Sequence, residues 1–133
     1  MNAWKFALVI CCLLGCSKAD GPDRYHVSGT VTFQGNPVPM GVIYFEPDHD
    51  AGNSGPQGFA EIIGGRFDTN SKTGRGIVSG PAVITITGQK QHSTNAEQVG
   101  ETLFEDYVIR QEFEPKNNTV DFDVPPEAAK TRK

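Results

Sequence analysis

Gly80-Pro81-Ala82-Val83-Ile84-Thr85-Ile86-Thr87 is the stretch whose reading decides the fold. Ala82, Ile84 and Ile86 fall on one side of an extended chain and Val83, Thr85 and Thr87 on the other, the period of two of a strand with one buried face. Pro81 stands at the start, where a strand tolerates a residue without an N–H. Upstream, Tyr25, Val27, Val31 and Phe33 alternate with His26, Ser28, Thr30, Thr32 and Gln34. Gly29 interrupts that apolar face and marks an expected bulge. Gly35-Asn36-Pro37 supplies turn chemistry, and a second strand runs from Gly41 to Pro47. A Gly/Asn/Ser/Pro-rich loop covers 48–58, after which Phe59–Ile63 and Phe67–Thr69 flank a tight turn at Gly64-Gly65-Arg66.

Beyond the opening stretch, 88–106 is a long polar excursion, which in a compact domain marks a functional segment or a mobile one. Tyr107–Phe113 resumes as a strand. Asn117-Asn118 turns the chain into Thr119–Val124, with Val120, Phe122 and Val124 inward and Asp121 and Asp123 outward. No window sustains a helical stripe for three turns. About seven short antiparallel strands over roughly a hundred residues are the profile of an all-β sandwich. The domain is expected over residues 25–124, with a polar C-terminal tail at 125–133 that begins at the strand-stopping Pro125-Pro126.

The first residues follow different rules. Lys5 precedes an apolar run from Phe6 to Leu14 that is too short for a membrane span, which needs about 20 such residues, and has the length of a signal-peptide core. Leu13-Leu14-Gly15-Cys16 resembles the lipobox of bacterial lipoproteins. That resemblance implies cleavage of residues 1–15, attachment of a diacylglyceryl group to the Cys16 sulfur and acylation of the new amino terminus. Several acyl chains, at about 0.8 kcal/mol per buried CH₂, make such an anchor effectively permanent. Residues 16–24 are polar and aperiodic and suit a flexible tether. The expected product is exported and lipid-anchored to a bacterial cell-envelope membrane.

Composition narrows the chemistry. All three cysteines, Cys11, Cys12 and Cys16, lie at or before the cleavage point, so the domain has no thiol for redox, nucleophilic or zinc chemistry. The net charge of −4, with basic residues clustered only in the final Lys130-Thr131-Arg132-Lys133, argues against nucleic acid as a partner. His26, His49 and His92 fall in separate segments, and no G-x-S-x-G elbow is present. No catalytic residue and no cofactor is therefore expected. Asp48-His49-Asp50 is the one dense polar cluster and the candidate for a ligand or metal, although a solvated loop tip is the favoured explanation. The candidate ligand loops are 48–58 and 89–106. Tyr44 beside Val42 offers a sugar-stacking or protein-docking surface if the outward face of its strand is uncovered.

Several blocks resemble the carboxypeptidase regulatory-like domain: Val27-Ser28-Gly29-Thr30-Val31-Thr32-Phe33-Gln34-Gly35-Asn36-Pro37-Val38-Pro39-Met40-Gly41, then Val42-Ile43-Tyr44-Phe45-Glu46-Pro47, Gly64-Gly65-Arg66-Phe67, and Gly80-Pro81-Ala82-Val83-Ile84-Thr85-Ile86. Phe104-Glu105-Asp106-Tyr107 is similar to a motif of small planctomycete lipoproteins that carry this domain. The resemblance implies a transthyretin-like Greek-key sandwich and little chemistry, since such modules serve as folding, docking or carbohydrate-associated accessories. Ala82 replaces the family's usual aromatic. The hydrolase branch of the transthyretin-like fold ends in a Tyr-Arg-Gly-Ser-like tail, whereas this chain ends Thr-Arg-Lys. The expected function is thus a non-catalytic binding or structural module, with an envelope protein or carbohydrate as partner.

Overall fold

The computed structural model describes residues 21–90 and 101–130. Among these residues nine strands form, in chain order: β1 Val27–Phe33, β2 Asn36–Pro37, β3 Met40–Pro47, β4 Gly58–Ile63, β5 Arg66–Asp68, β6 Gly80–Gln89, β7 Thr102–Phe113, β8 Asn118–Thr119 and β9 Phe122–Val124. The main path is β2-β1-β5-β4-β3-β6-β7, seven strands paired antiparallel. The sheet curls until its ends face one another. Phe33 of β1 meets Phe104 of β7 at 5.1 Å between ring centroids, although four strands separate them along the path.

The alternation of the opening stretch is what buries the core. Ala82, Ile84 and Ile86 are all buried, facing inward with Ile43 and Phe45 of the adjacent β3. Val27, Val31 and Phe33 do the same from β1, and Phe122 and Val124 from β9. Aromatic rings tie the layers: Phe45 packs on Phe67 and Phe113, and Phe67 on Phe122. A fully buried Val, Leu, Ile or Phe side chain contributes about 1.5–3 kcal/mol, so this cluster rather than any polar contact holds the curl closed.

Several local expectations shift. The first turn is Gln34-Gly35, one residue earlier than the Gly-Asn-Pro reading, with φ of 53° and 77°. Positive φ at both central residues is the geometry that matches strand twist in a two-residue hairpin, and it lets Asn36-Pro37 pair back on Thr32-Phe33. Gly64-Gly65 makes the same kind of turn, so Arg66 opens β5. The expected single strand over Thr119–Val124 is two, and both run parallel to β1 rather than antiparallel. The break falls at Val120-Asp121, opposite Gly29, where a side chain would collide with the Val120 carbonyl. Gly29 therefore permits a close backbone approach; it is not itself a bulge.

The polar excursion is shorter than expected because β6 runs on to Gln89 and β7 starts at Thr102. Lys90 N–H donates to the Glu101 carbonyl at 2.8 Å and continues the ladder. β7 is irregular at its start, where Asp106 has φ 49° and the register with β6 shifts between Ile86 and Gly88 and again between Gly88 and Gln89. Part of the expected C-terminal tail is also structured: Pro126–Lys130 forms a 3-10 turn whose Ala128 packs against the core. No helix among the described residues is long and apolar enough to cross a membrane.

Candidate functional site

Two places draw together chemistry that the strands position. The first is the Asp48-His49-Asp50 cluster. β3 ends at Pro47, and Asp48 caps a 3-10 turn, His49–Ala51, by accepting a hydrogen bond from the Asp50 N–H at 3.1 Å. The Asp48 N–H donates to Pro81 O, and Asn53 Nδ2 donates to the carbonyls of Ser79 and Pro81. These bonds strap the start of the 48–58 loop onto the start of β6. Asp48 is 5% exposed, not a solvated tip. Its carboxylate receives Arg110 Nη1 from β7 at 2.6 Å, while Asp50 lies 3.8 Å from Nη2 and is almost fully exposed.

That arrangement is a structural clasp. The hydrogen bond from Arg110 does most to hold the Asp48 carboxyl below the usual carboxylate range, burial opposes it, and the Arg110 charge and the N–H groups of Ala51 and Asp50 add to the lowering. A cation placed on Asp48 would meet the guanidinium first. His49 points to solvent, and among the described residues no group of three His, Cys, Asp or Glu side chains is placed to hold a metal ion.

The pH dependence of this clasp has a definite sign. A carboxyl whose folded-state pKa is depressed stabilises the fold above its unfolded value, and that contribution is lost as pH falls through the folded value. Arg110→Ala should therefore destabilise the protein at neutral pH, more than the exposed-pair variant Lys116→Ala. The difference from wild type should shrink in acid, below the ordinary carboxylate range. Thermal unfolding of the three proteins from pH 7 downward checks this, and a pH-independent Arg110→Ala effect would contradict the clasp.

The second place is the outer face of β4-β3-β6-β7. Register places Phe59, Tyr44, Thr85 and Val108 in one row across the four strands, with Glu61, Val42 and Thr87 in the next. Val42, Phe59, Thr85 and Thr87 are half-buried. Tyr44 is 37% exposed, Ile63 69% and Val108 52%. The Tyr44 and Phe59 rings lie 6.2 Å apart and tilted by 46°. Met40, Val42, Tyr44, Phe59, Ile63 and Thr87 line a shallow groove of about 420 Å³. Polar groups rim the face: Gln57 Nε2 donates to Glu46 at 2.7 Å and Thr73 Oγ1 to Glu61 at 3.2 Å.

Of the other residues singled out in the sequence, Cys16 and His92 lie outside the described residues, as does 91–100, the centre of the 89–106 loop. Gln89 and Thr102–Asp106, the flanks of that loop, are strand residues. Asp121 and Asp123 face outward and bind β1: Asp121 Oδ1 accepts from the Thr30 N–H and hydroxyl, Asp123 Oδ1 from the Thr32 hydroxyl. Arg110, Ile63 and Val108 were not singled out. Ile63 had a visible signal, since Ile62-Ile63 puts apolar residues on both faces of one strand. Arg110 had none, because its partner is 62 residues away. In comparisons with family models, curated proteins and solved structures, the chain matches none.

Proposed function

We propose that this chain is an exported lipoprotein anchored at Cys16, and that its β-domain is a non-catalytic binding module presenting the outer face of β4-β3-β6-β7 to a partner at the cell envelope. The observation that carries the reading is the exposure of this face, where Tyr44 and Val108 stand in one row and Ile63 two rows away beside Met40. An apolar groove rimmed by polar residues is a usual mark of a surface that meets a partner. The motifs shared with carboxypeptidase regulatory-like domains favour the same role, as does the Leu13-Leu14-Gly15-Cys16 box for the anchor. A carbohydrate is the second reading, favoured by the tilted Tyr44–Phe59 pair set among Glu46, Gln57 and Glu61, an apolar platform rimmed by hydrogen-bonding groups.

One experiment with two arms tests this reading. Cys16→Ala should move the protein from the membrane to the soluble fraction, and a variant that stays on the membrane removes the anchor. A photo-crosslinking residue at position 44 or 63 of the wild-type background should give envelope adducts that the same residue at exposed Lys116 does not. If all three positions behave alike, this face is not the one used.

A further inference from the structure

The strand order ends at β7, and its far side is open. β6 occupies one side from Gly80↔Phe113 to Ile86↔Tyr107, and among the described residues no other strand pairs with β7. The remaining edges are protected. β2 is two residues long and ends in Pro37, and β9 is three residues long and runs into Pro125-Pro126. Short strands and prolines are the usual means by which an edge is kept from pairing with another chain. β7, at 12 residues, lacks that protection over half its length. Its first half carries the bulge at Asp106 and lies beside Ala128 and Ala129 of the 3-10 turn. Tyr107–Phe113 is regular and open.

We propose that this edge pairs antiparallel with the same edge of a second copy, centred on Gln111, joining two curled sheets into one. The register follows from charge. Val108, Arg110 and Glu112 lie on the outer face, opposite Thr85, Val83 and Pro81, while Tyr107, Ile109, Gln111 and Phe113 lie on the inner face. A two-fold axis perpendicular to the sheet keeps each face on its own side, so the axis passes midway between the two copies of one residue. Centring on Arg110 or Glu112 sets like charges against one another, which destabilises a cross-strand pair. Centring on Val108 or Ile109 draws the bulged Asp106 into the ladder. Centring on Gln111 sets Arg110 against Glu112 of the second copy, twice, and Ile109 against its Phe113. Arg110 has five donors, of which Asp48 takes one at 2.6 Å. The pairing is independent of the anchor and of the partner on the outer face, which the dimer leaves open and doubles in extent.

The test uses the full chain with Cys11, Cys12 and Cys16 changed to serine. Sedimentation equilibrium of this parent should show a reversible monomer–dimer equilibrium, weakened roughly tenfold or more by Glu112→Arg, which turns both cross-strand attractions into repulsions. Gln111→Cys in the same background should form a disulfide-linked dimer on mild oxidation. Paired Cα atoms in an antiparallel ladder are about 4.5–5.5 Å apart, within disulfide reach. Val108→Cys should not cross-link, since the two copies of position 108 would be about 20 Å apart at about 3.4 Å per residue. A parent that stays monomeric, an equilibrium indifferent to Glu112→Arg, or cross-linking at 108 instead of 111 would overturn the proposal. Circular dichroism of each variant confirms that it remains folded.

Discussion

Gly29→Ala should release the C-terminal strands from the domain and cost about 3 kcal/mol or more, at the upper end of what overpacking does. A Cβ on Gly29 would lie 1.8 Å from the Val120 carbonyl oxygen and 2.7 Å from its carbon. Neither atom is the far end of a flexible side chain, so the two backbones must part. They are held together on both sides of the contact: the Val120 N–H donates to Ser28 O at 2.9 Å, and the Thr30 N–H donates to Asp121 Oδ1 at 3.0 Å. Relief at one bond strains the other. What would separate is the pairing of β8 and β9 with β1, which keeps Val27, Val31, Phe122 and Val124 from water. Against a total stability of about 5–15 kcal/mol for a domain, that is a large share. Urea unfolding measures it, with exposed Gly21→Ala as a control, since nothing lies within 4 Å of a Cβ at position 21. A Gly29→Ala midpoint equal to that of the control would mean that β8 and β9 do not dock on β1 as described.

Gly29 also shows what the sequence makes legible and what it hides. The alternation of Val27, Val31 and Phe33 identifies a strand because one face of a sheet is buried and the other wet. A missing side chain within it signals either a bulge or a near neighbour, and only the partner decides which. β6 is readable throughout because Ala82, Ile84 and Ile86 form its inner row while Thr85, Thr87 and Gln89 make the outer row polar. β7 is readable only from Tyr107, since the bulge at Asp106 breaks the period of two and an edge strand tolerates charges that resemble a loop. The same limit applies to the site. Exposure of Tyr44 follows from its place in β3, but the open face depends on four strands in register. Asp48 reads as a solvated tip because buried aspartates are rare unless paired, and its pair arrives from a strand distant in sequence.

Phe45→Ala should cost about 3–5 kcal/mol, the range for truncating a buried aromatic, and should weaken the whole domain rather than one edge of it. Phe45 is 1% exposed and sits at the centre of the curl. Its ring lies 6.1 Å from Phe67 of β5 and 5.7 Å from Phe113 of β7, edge-on to the latter. Phe67 in turn meets Phe122 of β9 at 5.9 Å. One side chain thus joins β3 to the end strand β7 and, through Phe67, to β9 beside β1, and the space it would leave is walled by Phe67 and Phe113. Hydrogen exchange distinguishes this from the effect at Gly29: protection should fall together across β3, β6 and β7, whereas Gly29→Ala should expose the amides of β8 and β9 first. Phe59→Ala supplies the comparison, because Phe59 lies on the outer face of the same sheet and is only half-buried. It should cost clearly less in the isolated protein, since its ring already borders water. A Phe59→Ala loss as large as that of Phe45→Ala would mean that the outer face is covered within the protein itself. The binding face would then have to be sought elsewhere.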